Sequence, residues 1–381
     1  MGLGKILRNV LENIYLRDVG QGDKEMEKTR VVYFTGPGKI KTEQIQLPEM
    51  GPNQVLVKTH QASICGSERY FYRGIIVRPQ DEARGGPGTS LGEGRKDGRP
   101  SHAYPLGPVG HEGGGTIVEK GSAVQEYLGG GKVSVGDRVG SLVYPTFTDY
   151  WVMDVSHVQP IPEGVPFEVG CLYEPLGCAA WAAIHMGVKL GDVVAINGVG
   201  FAGNIMLQGA IKAGASRVIA VDVVKSKLDV AKKLGADYVI DANEADPVEK
   251  VNEITHGEGV DVAVDAVGGT GIGVQLALGM VRHNGILAIY GDNYLPVKKF
   301  CFNKFHEDGL ELRNLNAVHY TKLRSVENMR EAYRAVQRGV FNMDIIFENS
   351  ETYRLDDIAD VFKKETESVD RQSSLKTFVI A

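Results

Sequence analysis

Cysteine is scarce in this chain. Four occur in 381 residues, at positions 65, 171, 178 and 301. Their irregular spacing excludes a disulfide framework and points to a reducing compartment, the cytoplasm. No apolar run reaches the roughly eighteen residues that a membrane span needs. A broad basic excess is also missing: the formal net charge is −6, which leaves no electrostatic footprint for nucleic acid. The first residues, MGLGKILRNVLENIYL, carry scattered charges and lack a small-residue cleavage site, so they do not read as a signal peptide. Leu3, Ile6, Leu7, Val10, Leu11 and Ile14 could line one face of a helix, a docking arm or an added remnant. Tryptophan is limited to Trp151 and Trp181, both expected in the core.

What is present is a globular composition, 43% hydrophobic and 24% charged, in a chain too long for one ordinary core. Two patterns succeed each other. From about residue 30 to 170, short β-branched runs such as RVVYFT, QVLVKTHQASI, GTIVEKG and TDYWVMD are punctuated by glycine, predicting an irregular β domain. After EPLGCAAWAAIHMG the pattern changes. VVAING, RVIAVD, DYVID, DVAVDAVG and GILAIYG are near-continuous apolar runs separated by helical segments. Such alternation predicts a parallel sheet covered on both faces, an α/β class. LKTFVI at the end is a strand that could return to the first domain. Between them, residues 73–105 form a Gly/Pro/Arg-rich stretch with almost no apolar residues, of a length that is usually functional or disordered.

The segment VVAINGVGFAGNIMLQGAIKAGASRVIAVD carries the clearest chemistry. Gly198, Gly200 and Gly203 form G-x-G-x-x-G after a strand and at the head of a helix that begins with Phe201 and Ala202. Asp222 follows about twenty residues on, at the end of the next strand. The glycines allow a sharp turn and close approach to a pyrophosphate, and the helix N-terminus supplies unpaired N–H groups. Asp222 would accept from both adenosine ribose hydroxyls. NAD is therefore favoured over NADP, with Lys225 close by as the one feature that speaks for NADP. The alternative is a glycine-rich turn without a ligand.

SICGSERY places Cys65 after an apolar run, GHEGGG places His111 beside Glu112, and CLYEPLGCA holds Glu174. Cys, His and carboxylate are the donors zinc takes when one position stays open. By itself a single cysteine is more often a buried thiol, and a His–Glu pair a surface feature. Cys171 and Cys178 are read as buried packing on one helical face, Cys301 has no metal-like company, and His60 reads as a strand histidine.

ASICGS, GHEGGG, VGDRV, EPLGCA, GVGFAG and GVDVAVDAVG occur in the order and approximate spacing of the zinc-dependent medium-chain dehydrogenases. The resemblance covers nearly all of residues 29–381 and is closer to the polyol and threonine dehydrogenase branch, which carries EPL. It implies a GroES-like catalytic domain (29–174) after an N-terminal extension (1–28), a Rossmann NAD-binding domain (175–315), and a C-terminal return (316–381). It further implies Cys65 and His111 as zinc ligands, with Glu112 and Glu174 as the remaining carboxylates, one direct and one through water or in exchange. Zinc there would acidify an alcohol, and hydride would pass to the nicotinamide. Ser67 resembles the family's relay hydroxyl. Where the pattern often continues to histidine, this chain has Tyr70, which could pass a proton or simply pack. Many relatives carry a structural zinc on four cysteines, but no cysteine lies between Glu112 and Cys171, so one zinc per chain is expected.

The 46 positions from Cys65 to His111 exceed what this branch usually shows, the excess being the 73–105 loop. It is either a solvated excursion or a cap whose Arg73 and Arg78 bind an anionic group on the substrate. The resulting expectation is an NAD- and zinc-dependent secondary alcohol or polyol dehydrogenase, a homodimer or homotetramer pairing through an edge strand near GILAIYG. The alternatives are a zinc-free quinone or enoyl reductase and a non-catalytic nucleotide-binding protein.

Overall fold

The structure, a computed structural model, describes residues 27–75, 104–141, 143, 145–293, 300–316, 323–367 and 374–381. Strands Lys28–Gly36 (β1) and Lys39–Gln46 (β2) pair as an antiparallel hairpin. Gln54–Ser63 (β3) leads into a short helix, Gly66–Tyr72 (α1). Glu112–Lys120 (β4), Arg138–Ser141 (β5), Tyr150–Asp154 (β6) and Val158–Pro160 (β7) follow. Two helices come next, Phe167–Gly170 (α2) and Tyr173–His185 (α3).

The second half alternates. Its elements are Val193–Asn197 (β8), Phe201–Ala213 (α4), Arg217–Asp222 (β9), Lys225–Lys233 (α5), Tyr238–Asp241 (β10) and Pro247–Ile254 (α6). Val260–Asp265 (β11), Ile272–Met280 (α7), Val281–Ile289 (β12), Phe302–Glu307 (α8) and Glu311–Asn314 (β13) complete that sheet. The chain ends through Leu323–Gln337 (α9), Met343–Ile346 (α10), Glu351–Arg354 (β14), Ile358–Glu367 (α11) and Thr377–Ile380 (β15).

Strands β8 to β13 form a parallel sheet in the order β10-β9-β8-β11-β12-β13. The chain winds outward one way from β8 and then the other way from β11, so the carboxyl ends of those two strands flank the crevice where such sheets bind ligands. The apolar runs read from the sequence are these buried strands; Val194, Ala195 and Ile196 of β8 are fully covered. The N-terminal half and the chain end share a second sheet, β14-β15-β3-β4-β5-β7, with β6 also on β3. Phe378 pairs with Ser63 and Val379 with Ala62, which carries Lys376 to the end of β3.

Two expectations are corrected. The segment GILAIYG is not an edge: β12 lies between β11 and β13, and Leu287 and Ala288 are fully buried. The edge is β13, on which Leu312 is exposed. Cys171 and Cys178 do not share a helix. Cys171 caps the end of α2, and Leu172 breaks the chain direction before α3 begins. Pro175 then sits in the first turn of α3, where a missing N–H is tolerated.

Candidate active site

Cys65 stands at the junction of β3 and α1, as the N-cap of that helix. Glu68, buried at 1% exposure, turns back so that Oε2 accepts from the Cys65 amide at 3.0 Å, the return half of a capping box. Its Oε1 lies 3.1 Å from Nδ1 of His111. One carboxylate thus fixes the cysteine backbone and orients the imidazole, directing Nε2 away from Glu68. Such outer partners set the tautomer and angle of a ligating histidine.

The donor atoms of Cys65, His111 and Glu112 lie within 4.8 Å of one another. Glu112 is fully buried at the start of β4. Its Oε2 accepts from Lys376 Nζ at 2.5 Å and from the Ser63 hydroxyl, while Oε1 is buried with no hydrogen-bond partner among the described residues. Burial pushes this carboxyl up, but Lys376, His111 and the two donated bonds outweigh it, and the net direction is down. A buried carboxylate oxygen without a partner is costly. A cation between the sulfur, the imidazole and this oxygen would satisfy it, so the residues fit zinc.

Glu174 is not in that group. It sits in the first turn of α3, buried, with Oε1 accepting from Cys178 Sγ at 3.3 Å. Burial raises its pKa, opposed by His111 and reinforced by Glu112, which places it beside the cluster. From the other domain comes Tyr290, just past β12. Burial raises its hydroxyl well above the usual value, with the nearby Cys178, Glu174, Cys65 and Glu112 adding to it.

The two relay candidates lie on α1. Ser67 is half-buried. Tyr70 reaches the loop after β11: a Cβ on Gly269 would run into its hydroxyl, and Gly269 has φ +77°. Burial raises the Tyr70 pKa, with Asp265 adding and Arg73 and Arg69 opposing. Arg73 is exposed at the end of α1. Arg78, most of the 73–105 loop and residues 1–26 lie outside the described residues.

The fingerprint is built as its glycines require. Gly198 has φ +92°, a left-handed conformation that suits glycine. A Cβ on Gly203 would collide with the Gly198 carbonyl oxygen, whereas one on Gly200 would meet nothing within 4 Å. The space over Gly200, at the N-cap of α4, is therefore open to a phosphate. Phe201 and Ala202 form the first turn of that helix. Asp222 is held by three amides, Val199 on Oδ2 at 2.9 Å and Val223 and Val224 on Oδ1 at 2.8 and 3.0 Å, with lone pairs left for ribose hydroxyls. Lys225 is exposed at the start of α5. Burial lowers the Lys227 pKa, opposed by Asp222 and Glu365 and aided by Arg69.

His60 lies in β3 with Nε2 2.8 Å from the Thr116 hydroxyl. Trp151 is buried and donates to Thr59. Trp181 is partly buried and stacks on His185 at 4.1 Å. Cys301 is exposed at the start of α8.

Glu68, Lys376, Lys227 and Tyr290 are absent from the sequence-derived site. The S-E pair after Cys65 was a usable signal for Glu68, since a helical cap three residues on is local. The other three depend on long-range pairing.

A β-rich domain carrying a Cys/His/Glu cluster, facing a doubly wound sheet with a dinucleotide fingerprint, defines a two-domain dehydrogenase architecture. The comparisons agree. Residues 51–163 match the alcohol dehydrogenase GroES-like domain, and residues 202–336 match the zinc-binding dehydrogenase domain. Sorbitol dehydrogenase of Bacillus subtilis (strain 168) is 29% identical over 287 residues, 68% of this chain and 74% of that protein. L-threonine 3-dehydrogenase of Chelativorans sp. (strain BNC1) is 28% identical over 314 residues, 75% of this chain and 84% of that protein. The fold matches 2R,3R-butanediol dehydrogenase from Bacillus subtilis with a TM-score of 0.71 at 21% identity, covering 93% of this chain and 99% of that one. The chain belongs to the zinc-type medium-chain dehydrogenase family, in its polyol and threonine dehydrogenase-like part. No helix among the described residues is long and apolar enough to cross a membrane.

Proposed function

We propose that this protein is a cytoplasmic, NAD-dependent oxidoreductase that moves hydride between a secondary alcohol or polyol and the nicotinamide. In this reading one zinc per chain is held by Cys65, His111 and Glu112. The observation that carries it is the buried, partnerless Oε1 of Glu112 within 4.8 Å of the cysteine and histidine donors. Zinc would supply Lewis acidity, lowering the pKa of a hydroxyl presented to it.

The protein's own residues do the rest. Glu68 orients His111, and Lys376 and Ser63 both donate to Oε2 of Glu112, leaving Oε1 for the metal. Glu174, neutral or charged, lines the open side of the cluster and is available to accept a proton or a ligand position. Ser67 hands the alcohol proton outward. Tyr70 lies between α1 and the Gly268–Gly269 loop, where it packs against the cofactor's crevice and extends the relay. The fingerprint glycines with Phe201, Ala202 and Asp222 hold the dinucleotide, and Asp222 favours NAD over NADP by repelling a 2′-phosphate. Arg73 and Arg78 are the residues through which an anionic substrate group would be recognised. The division into residues 29–174, 175–315 and 316–381 and a homodimer or homotetramer belong to the same reading.

The test is nicotinamide reduction by a panel of neutral and anionic secondary alcohols, with NAD and NADP compared at equal concentration. Alcohol-dependent NADH formation that survives neither Cys65→Ala nor His111→Ala is expected. Reduction of enones or quinones with no alcohol oxidation would replace this reading with the zinc-free reductase.

A further inference from the structure

Helix α11 buries Ile358, Val361, Phe362 and Glu365. That is the i, i+3, i+4, i+7 stripe of an amphipathic helix, and its last position holds a carboxylate where an apolar residue would pack. Glu365 is 1% exposed. Two other elements bind it. From α1, Arg69 Nη2 lies 2.6 Å from Oε2. From β15, the Thr377 hydroxyl donates to Oε1. A buried ion pair of this kind adds little stability over a well-packed apolar pair of similar volume. Here it also leaves the Arg69 Nε buried without a hydrogen-bond partner among the described residues. The pair is better explained by what it holds in place.

Strand β15 meets β3 at two residue pairs only, Phe378 on Ser63 and Val379 on Ala62. On its other side β14 pairs with it at four positions, but β14 is the edge of the sheet, so the two can slide together. The strand's own sequence does not oppose a slip. Thr377, Phe378 and Val379 are all buried, so both faces are covered and no in–out alternation selects the register. The register matters because residues 376 and 377 both hold the Cys/His/Glu cluster. Lys376 Nζ reaches Oε2 of Glu112 at 2.5 Å. The Thr377 carbonyl accepts from the amide of Ile64 at 3.0 Å, one residue before Cys65. A slip by one residue would carry the ammonium off Glu112 and turn both side chains to the opposite face.

We infer that Glu365 is a positioning residue for the metal site: it pins the register of β15 through the Thr377 hydroxyl and ties that strand, through Arg69, to the helix that Cys65 caps. This rests on the zinc reading of Cys65, His111 and Glu112. Glu365 acts from a helix that supplies no donor atom to the cluster. Its acceptor oxygen matters more than its charge. A glutamine at this position would still accept from Thr377. A leucine would pack along the apolar stripe and leave the strand unpinned, with the Thr377 hydroxyl turning to that of Ser374, 3.1 Å away.

Two double variants of the full-length protein separate register from stability. Both carry Arg69→Met, so no charge is stranded; one adds Glu365→Gln, which keeps the acceptor, and the other Glu365→Leu, which removes it. Zinc affinity is read by competition with a chromophoric chelator, donor geometry by the ligand-field spectrum of the cobalt-substituted protein, and stability by urea unfolding. Arg69→Met/Glu365→Leu should unfold no earlier than wild type, yet bind zinc about tenfold or more weakly, as loss of an outer partner does, with an altered cobalt spectrum. Arg69→Met/Glu365→Gln should recover the wild-type affinity and spectrum. Thr377→Val keeps strand propensity and the ion pair, removes the same hydrogen bond from the strand side, and should weaken zinc as the leucine variant does; it decides the matter if neither double variant folds. Equal affinity and spectra in the two double variants, or wild-type zinc binding by Thr377→Val, would make Glu365 a packing residue and overturn the inference. A wild-type protein that binds neither zinc nor cobalt would instead overturn the functional reading itself.

Discussion

The Lys376 ammonium lies 2.5 Å from Oε2 of Glu112, joining the last strand of the chain to the second residue of the His–Glu pair. Both partners are nearly sealed, at 5% and 0% side-chain exposure. The same ammonium sits over Phe201. A single cation therefore touches the candidate ligand carboxylate and the head of the dinucleotide helix.

Removing that cation leaves Glu112 charged and buried. Lys376→Met should destabilise the fold by about 3–5 kcal/mol, the usual cost of breaking a buried pair from one side. Urea unfolding of the purified variant measures it. A loss under about 1 kcal/mol would mean that the pair is open to water in solution.

Glu68 touches no substrate position, yet it holds both Cys65 and His111. Glu68→Ala should lower zinc affinity by about 10–100-fold, as loss of an outer partner of a ligating histidine does. Competition with a chromophoric chelator reads this directly. Retained affinity would show that the imidazole is oriented by other contacts.

The fingerprint glycines predict two different phenotypes. Gly203→Ala forces a methyl onto the Gly198 carbonyl and should cost about 1–3 kcal/mol of stability. Gly200→Ala has free space in the protein, so it should melt normally yet bind NADH more weakly. Melting curves and NADH titration separate the two, and a Gly200→Ala variant with full NADH affinity would remove the phosphate from that turn.

His60 gives a pH dependence unconnected to catalysis. Burial, aided by Lys58 and Arg138, lowers its pKa to about 4, against a value near 6.5 in the unfolded chain. The unfolded state therefore binds the proton first. Stability should be intact above about pH 6.5 and fall by about 2–3 kcal/mol as pH drops toward 4. His60→Gln should flatten that slope when unfolding is followed between these limits. An unchanged slope would assign it to other groups.

The parallel sheet was legible because the cores of β8, β9 and β11 and the second half of β12 are buried and read as apolar runs. The fingerprint was legible because its geometry is local. Hairpin β1–β2 was only half visible: KTEQIQ is polar and exposed on most positions, so it lacks a core-facing signal. The place of β12 was misread because a fully apolar strand identifies burial but not its neighbours. For Cys171 and Cys178, seven positions suit a single helix, and the break at Leu172 carries no glycine to announce it. Cys65, His111, Glu112 and Glu174 were named from motifs; the fold brings the donor atoms of the first three together, and Glu174 lies outside that group. Lys376 was not named, because its partner Glu112 is set by the register of β15 on β3.

The central claim is a zinc ion on Cys65, His111 and Glu112, and metal content tests it most directly. Protein purified without chelator should contain one zinc per chain, and Cys65→Ala should contain none while still folding. Wild-type protein without zinc, or a Cys65→Ala variant that keeps it, would contradict the account and return Cys65 to an ordinary thiol.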